Sequence, residues 1–427
     1  MKLKKLIGIM AIAGLAVPGI ASATNGYFSH GYGIKAKGMG GAAIAYGQDA
    51  LAAASNPANM VLVGDRIDLG VDWFRPIREA TLGDNSVVST TYKSSSNNFL
   101  VPEFGYNKMI SNNMSLGISV YGNGGMNSDY EPIGNFNQGM GNRTGVDLSQ
   151  LFIAPTFAMK LSPSHSIGVS LNLAYQQFAA SGISNFGDPT VSQDGSKLSD
   201  RGHDSSTGLG VRLGWTGQIT PELALGATYQ SKTKMSKMNE YKGLFAGDGS
   251  FDIPENYGVG LAFKANPATT IAFDVVKINY SGVPAIANPI ANMGMPGYLL
   301  GQANGIGFGW KDMTVYKLGV SYDVNKDLTL RAGYNHGATT IPDTEIAFNV
   351  LAPATVENHL TLGATWKLAN KAELSLAYMH AFSKTQGGAT PQLFCNPLGC
   401  APGTGPTTTS SITMKQDSLG IAYGWKM

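Results

Sequence analysis

Hydrophobic and polar positions alternate with a period of two in repeated segments of the chain, which is typical of β-strands with two different faces. In the first segment one face carries Ile67, Leu69, Val71 and Trp73, and the other carries Arg66, Asp68, Gly70 and Asp72. Residues 208–215, 359–366 and 418–425 repeat the pattern. A face that is small, polar or charged cannot form a packed apolar core. We therefore predict that the apolar face meets lipid and the polar face meets a wet lumen.

Short and long connections alternate between these segments. The short ones are turns at 111–113, 162–164, 220–222, 266–268, 325–327 and 369–371. The long ones are rich in Gly, Asn and Asp and lie near 78–97, 123–147, 181–205, 232–251, 281–312, 337–357 and 384–411. Short periplasmic turns, long external loops and an even strand count are features of outer-membrane barrels. We predict an all-β fold: a transmembrane antiparallel β-barrel of about fourteen strands over residues 66–427.

The composition favours this fold over a soluble domain. Charged residues are 14% of the chain, 55 of 427 residues are Gly, and the mean hydropathy is −0.03. A typical soluble domain has about a quarter charged residues. A soluble all-β protein is the alternative, but unstructured connections this long would be unusual in it. The net charge of +2 comes without a basic stripe, so we expect no nucleic-acid partner.

The first 23 residues have the features of a secretory signal peptide. Three lysines precede an apolar run at 6–17, and the small residues of 21–23 form a cleavage site. A membrane-anchor helix, the alternative, would need a longer apolar run. We predict cleavage before Thr24 and a bacterial outer-membrane location.

Residues 24–65 do not fit the strand pattern. They contain Gly-Met-Gly-Gly at 38–41, an Ala-rich run and Asn56-Pro57-Ala58. A flexible periplasmic tail is the alternative, but a segment with much Ala, Met and Tyr and few charges is a poor candidate for disorder. We predict that this segment is a plug inside the barrel.

The plug segment resembles the N-terminal hatch of the FadL family, outer-membrane transporters of long-chain fatty acids and other hydrophobic compounds. The similar residues are Thr24-Asn25-Gly26-Tyr27-Phe28, Gly31-Tyr32-Gly33, 37–42 with Gly38, Gly40 and Gly41, Gln48-Asp49-Ala50 and Asn56-Pro57-Ala58. A first strand at 68–77 and the run 252–260 also resemble the family. The resemblance implies a fourteen-stranded barrel, ligand capture by the external loops, an apolar pocket above the hatch, and lateral release at a kink in the third strand.

The third strand is predicted at 114–121, and Gly122, Gly124 and Gly125 follow it. Glycines suit a strand break because they weaken pairing. These three are therefore candidates for a lateral opening. The alternative, which stays open, is that they only begin the second external loop.

Two other groups of side chains are candidates for ligand contact. The apolar residues Ile183, Phe186, Leu244 and Phe245 lie in the external loops, where a ligand would first land. The lumen-facing Arg212, Lys317 and Arg331 are candidates for binding a carboxylate, because Arg grips it in a bidentate way and Lys acts as a point charge. For each basic residue singly we favour pairing with an inward acid such as Asp72, Glu103, Asp274 or Glu373.

These features favour a channel for hydrophobic small molecules, with long-chain fatty acids as the first expectation and aromatic or alkane hydrocarbons as the alternative. A general porin would leave the plug unexplained. An enzyme is disfavoured because the six histidines fall in no recognisable triad or His-Glu-x-x-His motif. We expect no cofactor and no metal. The expected partners are the hydrophobic ligand, outer-membrane lipid and lipopolysaccharide, and the barrel-assembly machinery during biogenesis.

Cys395 and Cys400 lie close together in a Pro- and Gly-rich stretch. In an exported protein this spacing favours a disulfide within one loop. Free thiols and half of a metal site are the alternatives, and the metal site is the weaker one because no His or second Cys pair is nearby.

Overall fold

The computed structural model describes residues 24–83, 89–134, 136–137, 141–293, 295–369, 371–389 and 409–427. Fourteen long strands, named β1 to β14 in chain order, form an antiparallel sheet. Their bounds are Arg66–Gly83, Phe99–Ser111, Met114–Tyr130, Thr144–Lys160, His165–Ser181, Asp204–Gln218, Leu223–Gln230, Asn256–Asn266, Thr269–Ile278, Met313–Asp323, Leu328–Gly337, Asn358–Lys367, Ala372–Ala389 and Thr409–Lys426. Two short strands extend its outer rim: Ser89–Lys93 pairs with β1, and Lys234–Met235 pairs with β6.

The sheet closes on itself because β14 pairs with β1, from Arg66 opposite Lys426 to Leu82 opposite Ser410. The other strands pair with their neighbours in the chain. The predicted fourteen-stranded barrel is confirmed. The turns lie where they were predicted, whereas β1 and β3 continue farther toward the outer rim than the sequence suggested.

The two faces of the strands are divided as predicted, with apolar side chains outward and polar ones inward. On β1, Leu69 is 47% exposed and Trp73 is 39% exposed, whereas Asp68 and Asp72 are buried. Because residues on one strand alternate between the lipid face and the lumen face, the polar side chains point into the lumen. There they are buried by the chain segment that fills the barrel.

Residues 24–63 fill the barrel, which confirms the predicted plug. This hatch consists of single helical turns at Ile34–Lys37 and Met60–Val63 and 3-10 turns at Ala52–Ala54 and Pro57–Asn59. Nearly all of its residues are buried. Among the described residues, no helix is long and apolar enough to cross a membrane.

The main apolar core lies above the hatch, where the external loops pack together. It contains aromatic residues from the loops and from the start of the hatch: Tyr27, Phe28, Phe136, Phe178, Phe186, Tyr241, Phe245, Phe251, Tyr280, Phe308, Trp310 and Phe348. The loops therefore form a packed cap over the hatch.

Candidate functional site: the hatch, its cavity and an interruption in the wall

Asn56 ties the hatch to the barrel wall through both polar atoms of its side chain. Its Oδ1 accepts the N–H of Ala58 at 3.0 Å and so caps the turn that begins at Pro57. Its Nδ2 donates to the carbonyl oxygens of Ile44, at 2.7 Å, and Trp215 on β6, at 2.9 Å. Asn-Pro-Ala is therefore a docking element that joins two hatch segments to the wall.

Glycines on both sides let the hatch backbone approach the wall closely. Gly40 and Gly41 have φ angles of 65° and 80°, which residues with a Cβ rarely adopt. An added Cβ on Gly38 would lie 3.0 Å from the Cα of Gly363. Inward glycines of the wall face hatch atoms in the same way: Gly105, Gly168, Gly214, Gly226, Gly319 and Gly333. Much of the high Gly content is thus explained by the contact between hatch and wall.

Lys37 of the hatch is held by two inward acids. Its Nζ lies 2.8 Å from Asp72 Oδ2 and 3.9 Å from Glu103 Oε2, and all three side chains are almost fully buried. Glu103 also accepts the backbone N–H groups of Gly33 and Ile34, at 3.2 and 2.9 Å. Burial acts against the charged amine, but the carboxylates of Asp72 and Glu103 outweigh it and raise the pKa of Lys37 above its ordinary value. The hatch is therefore fixed by a buried, charged contact.

A second buried charge group surrounds Lys35. Its Nζ lies 2.5 Å from Glu373 Oε2, which Arg66 also contacts at 3.0 Å. Arg66 in turn binds Asp68 at 2.7 Å. Burial and the nearby Arg66 lower the pKa of Lys35, while burial and the carboxylate of Asp68 raise the pKa of Asp49 to about 6. Charge balance here depends on five groups from hatch and wall together.

The inward acids therefore bind the hatch, and Glu373 also binds Arg66 of β1, but none of them forms an ion pair with Arg212, Lys317 or Arg331, which corrects our expectation. Asp72, Glu103 and Glu373 are engaged as described. Asp274 accepts the N–H groups of Ala43 and Ile44 at 2.7 and 3.0 Å. It lies opposite Lys317 in the β9–β10 register, yet the two form no ion pair within 4 Å.

A cavity of about 50 Å³ lies between the hatch and strands β6 to β10. Its charged lining residues are Arg212, Lys317 and Asp274, and the others are Asn25, Phe28, Ser29, Tyr32, Gly41, Ile44, Ala54, Ser55, Thr228, Asn256, Val276, Ile278 and Val315. We call it the hatch cavity. Phe28 and Tyr32 could not be placed there from the sequence, because their positions depend on how the hatch folds.

Arg212 and Lys317 are both cations without an acidic partner within 4 Å among the residues that the structure describes. Arg212 is 4% exposed; it donates to Gln230 Oε1 and, at 3.4 Å, to the carbonyl of Ser55, while its Nε has no partner in the described part of the chain. Lys317 Nζ donates to the carbonyl of His30 at 2.9 Å. Buried Arg212, half-buried Lys317 and the buried carboxylate of Asp274 therefore face one cavity. The cations outnumber the acid by one, an arrangement that favours an anionic group on a ligand.

Arg331, the third basic candidate, lies apart from this cavity. Its Nε donates to Gln48 Oε1 at 2.8 Å, and its Nη1 donates to Thr365 Oγ1 at 2.7 Å. Arg331 thus joins the hatch to β12, and the structure brings together only two of the three basic residues.

All four apolar loop candidates are buried, so none lies on the outer surface where a ligand would first land. Ile183 and Phe186 pack inside the loop cap, 0% and 5% exposed. Leu244 and Phe245 line a small apolar cavity of about 10 Å³ within the cap, which we call the loop cavity. Apolar side chains in these long loops have packed together, as burial of apolar surface favours.

A run of aromatic rings joins the loop cavity to the hatch cavity. The ring centroids of Phe245 and Phe251 are 4.8 Å apart, those of Phe251 and Tyr27 are 6.3 Å apart, and those of Tyr27 and Phe28 are 5.2 Å apart. Phe245 lines the upper cavity and Phe28 lines the lower one. The two cavities are therefore connected through continuous apolar packing.

The barrel wall is interrupted between β2 and β3. Their ladder ends at Phe104 opposite Val120, and among the described barrel strands residues 121–130 of β3 pair only with β4. The register of β3 against β4 shifts between Gly122 and Gly124. These glycines therefore form a bulge inside a longer strand, and the alternative that they begin the second external loop is wrong.

The start of the hatch forms hydrogen bonds with the edge of β3 that does not pair with β2. The N–H of Gly125 donates to the carbonyl of Tyr27 at 3.0 Å, and the N–H of Ser29 donates to the carbonyl of Asn123 at 3.2 Å. Gly124 lies against Tyr27 so closely that a Cβ would overlap its carbonyl. From the sequence this hatch motif was recognised only as a resemblance, and its role in pairing with β3 was missed.

Two predicted features lie outside the described residues: the signal peptide at 1–23 and the Cys395–Cys400 pair. Among the residues that are described, no group of three or more His, Cys, Asp or Glu is arranged to hold a metal ion.

A closed fourteen-stranded barrel with an internal hatch and a packed loop cap defines a plugged outer-membrane channel. The chain belongs to the family of outer membrane protein transport proteins (OMPP1/FadL/TodX), whose model matches residues 20–412. The resemblance to the FadL family and the outer-membrane location are thereby confirmed. The family consists of transport proteins for hydrophobic small molecules rather than of enzymes.

Solved structures with the same fold share little sequence with this chain. The Pseudomonas putida toluene transporter TodX is 18% identical, with a TM-score of 0.67 over 93% of this chain and 99% of its own. A Pseudomonas aeruginosa FadL homologue is 13% identical, with a TM-score of 0.67 over 94% and 99%. The Ralstonia pickettii toluene transporter TbuX is 18% identical, with a TM-score of 0.61 over 93% and 99%. No curated protein matches the chain.

Proposed function

We propose that small hydrophobic molecules enter through the loop cap, reach the hatch cavity and leave sideways between β2 and β3. The observation that carries the proposal is the run of rings from Phe245 to Phe28, since it links the two cavities by an apolar route. A general porin is a weaker candidate, because the hatch occupies the lumen that a polar solute would cross.

Sideways exit is supported by the interruption in the wall. Unpaired backbone groups are costly in hydrocarbon and are tolerated where they lie against protein or a wet cavity. The free edge of β3 meets this condition because Tyr27 and Ser29 bond to it. A ligand in the hatch cavity touches Phe28 and Ser29, and so lies beside the residues that close the interruption.

Small aromatic hydrocarbons are the first ligand class that we propose. TodX and TbuX are described as toluene transporters, and the similar CymD is described as a monoaromatic hydrocarbon channel. A single ring also requires the smallest enlargement of the hatch cavity, since a cavity of roughly 150 Å³ accepts benzene. The rings along the route can pack edge-to-face or offset against an aromatic ligand.

Long-chain fatty acids are the second ligand class, and Arg212 and Lys317 are the specific observation in their favour. A hydrocarbon has no group that requires a cation. A carboxylate would offset the one positive charge that Asp274 leaves unbalanced. It would also give an acceptor to the Nε of Arg212, which has no partner among the described residues.

Binding of labelled toluene and labelled dodecanoate to the purified protein in detergent micelles would separate the two classes. If the fatty acid binds at the hatch cavity, Arg212→Gln should weaken dodecanoate binding roughly 10- to 100-fold, the value of a charge-assisted hydrogen bond, and leave toluene binding unchanged. Arg75→Gln, on the outward face of β1, is the matched control. Toluene binding alone would select the first class. Binding of neither ligand would refute the proposal.

A variant that straightens β3 tests the exit. Gly122→Val with Gly125→Val should restore regular strand geometry and slow ligand transfer into liposome membranes, whereas Gly387→Val on β13, where a Cβ would have an ordinary 3.5 Å contact, should not. Unchanged transfer in the folded double variant would show that the ligand leaves by another way.

A further inference from the structure

We propose that Arg78 forms a second anion site, at the exit between β2 and β3, which takes the carboxylate of an amphiphilic ligand. The inference rests on the sideways exit proposed above, and it concerns a different place from the hatch cavity.

Arg78 is a buried cation whose partners are neutral. It is 3% exposed and faces inward on β1. Its terminal nitrogens donate to the carbonyl oxygens of Asn127 and Ser96, and its Nε has no partner among the described residues. In the described part of the chain, no acid lies within 4 Å of it. A buried charge without a counter-ion is unfavourable, so this guanidinium suits a site whose counter-ion arrives with the ligand.

The position of Arg78 relates it to the exit. Asn127 belongs to the part of β3 that does not pair with β2, and Ser96 lies three residues before the start of β2 at Phe99. Beside Arg78 the two sides of the interruption are joined again, because the N–H of Ser95 donates to the carbonyl of Asp129 at 2.8 Å. The side chain therefore spans the interruption at its outer end.

The surroundings of Arg78 fit a charged head with an apolar tail. The guanidinium carbon lies 5.8 Å from the centroid of the Phe99 ring. A cavity of about 20 Å³ beside it is lined mostly by small or apolar residues: Gly26, Met126, Asn127, Ala352, Pro353, Ala354 and Met414. A carboxylate can bind the planar guanidinium in a bidentate way. The hydrocarbon chain can then pack against the small and apolar residues that line the rest of this cavity. A neutral hydrocarbon would pass without being held.

Photo-crosslinking with dodecanoate that carries a diazirine near its carboxyl group tests this site. In the intact protein, mass spectrometry should find labelled peptides from the exit, around Phe99 and Met126, as well as from the hatch cavity. Arg78→Gln should reduce exit labelling at least about tenfold and leave labelling at the hatch cavity unchanged. Arg78→Lys keeps the charge and should retain part of it. Arg75→Gln, on the outward face of the same strand, should have no effect.

A dodecanol probe with the same diazirine separates charge from packing. Labelling of the exit by the dodecanol probe should not depend on Arg78. If Arg78→Gln reduces exit labelling equally with both probes, the substitution merely disturbs the fold, and the proposal is overturned. Dodecanoate labelling at the hatch cavity but not at the exit in the intact protein would also overturn it, while sparing the proposed function. Labelling at neither place would instead contradict the proposed route.

Discussion

Replacing Lys37 by Met should loosen the hatch and make the channel conduct. The variant leaves Asp72, and Glu103 behind it, as buried acids that face an apolar side chain. Breaking a buried ion pair by removing one partner costs about 3–5 kcal/mol, because the remaining charge keeps its desolvation penalty. At a factor of ten per about 1.4 kcal/mol, the equilibrium constant for undocking rises roughly 10²- to 10⁴-fold. The contacts of Lys35 and Asn56 remain, so the hatch should open often without being lost.

The number of conducting openings per unit time in a planar bilayer measures this change. Lys108→Met is the matched control, since Lys108 pairs with Asp65 at the surface, where solvent screens the pair and its contribution is small. Adding Asp72→Asn to Lys37→Met removes the unpaired acid nearest to the site and should restore part of the closed state. Equal opening rates for Lys37→Met and Lys108→Met would refute the idea that buried charge pairs hold the hatch.

Three further predictions concern the hatch and a loop. Deletion of residues 24–64 should turn a nearly closed channel into a conducting one, and conductance equal to that of the intact protein would contradict the plug. Asp49→Asn should strengthen hatch docking at pH 7. The pKa of Asp49 is raised to about 6 in the docked hatch, whereas the ordinary value is about 3.9. Asp49 therefore favours docking fully below about pH 4, and this contribution is lost as the pH rises through 6. Hydrogen exchange of the hatch amides should therefore rise with pH over this interval more in the intact protein than in the variant. Cys395 and Cys400 should be disulfide-bonded and dispensable for folding, since closing so short a loop contributes roughly 2–3 kcal/mol at most; two reactive thiols in the unreduced, denatured protein would contradict the bond.

The barrel could be predicted from the sequence because its signal is local. Leu69 and Asp68 are adjacent in the chain and point to opposite faces, so the alternation shows both the strand and the inverted placement of its faces. The turns carry equally local signals. Nothing more than neighbouring residues was needed to count fourteen strands.

The partners of the hatch could not be predicted, because they lie far away in the chain. Lys35 and Glu373 are 338 positions apart, and no period or motif links them. The inward acids were correctly placed in the lumen, but which cation each one meets depends on how a short, irregular hatch folds. For the same reason Arg78 drew no attention: an arginine at an inward strand position shows its isolation only when its surroundings are assembled.

The glycine-lined contact between hatch and wall has a consequence for how this protein tolerates mutation. An added Cβ at Gly226 would lie 2.6 Å from the carbonyl of Ile44, and one at Gly319 would lie 2.6 Å from that of Met39. In a soluble protein the surface accepts most substitutions and the apolar interior few. Here the lipid-facing surface should accept any apolar residue, while single methyl groups on the polar inner wall should be rejected. A scan of all substitutions would therefore give a map that is the reverse of a globular one, with its most restricted positions occupied by the smallest residue.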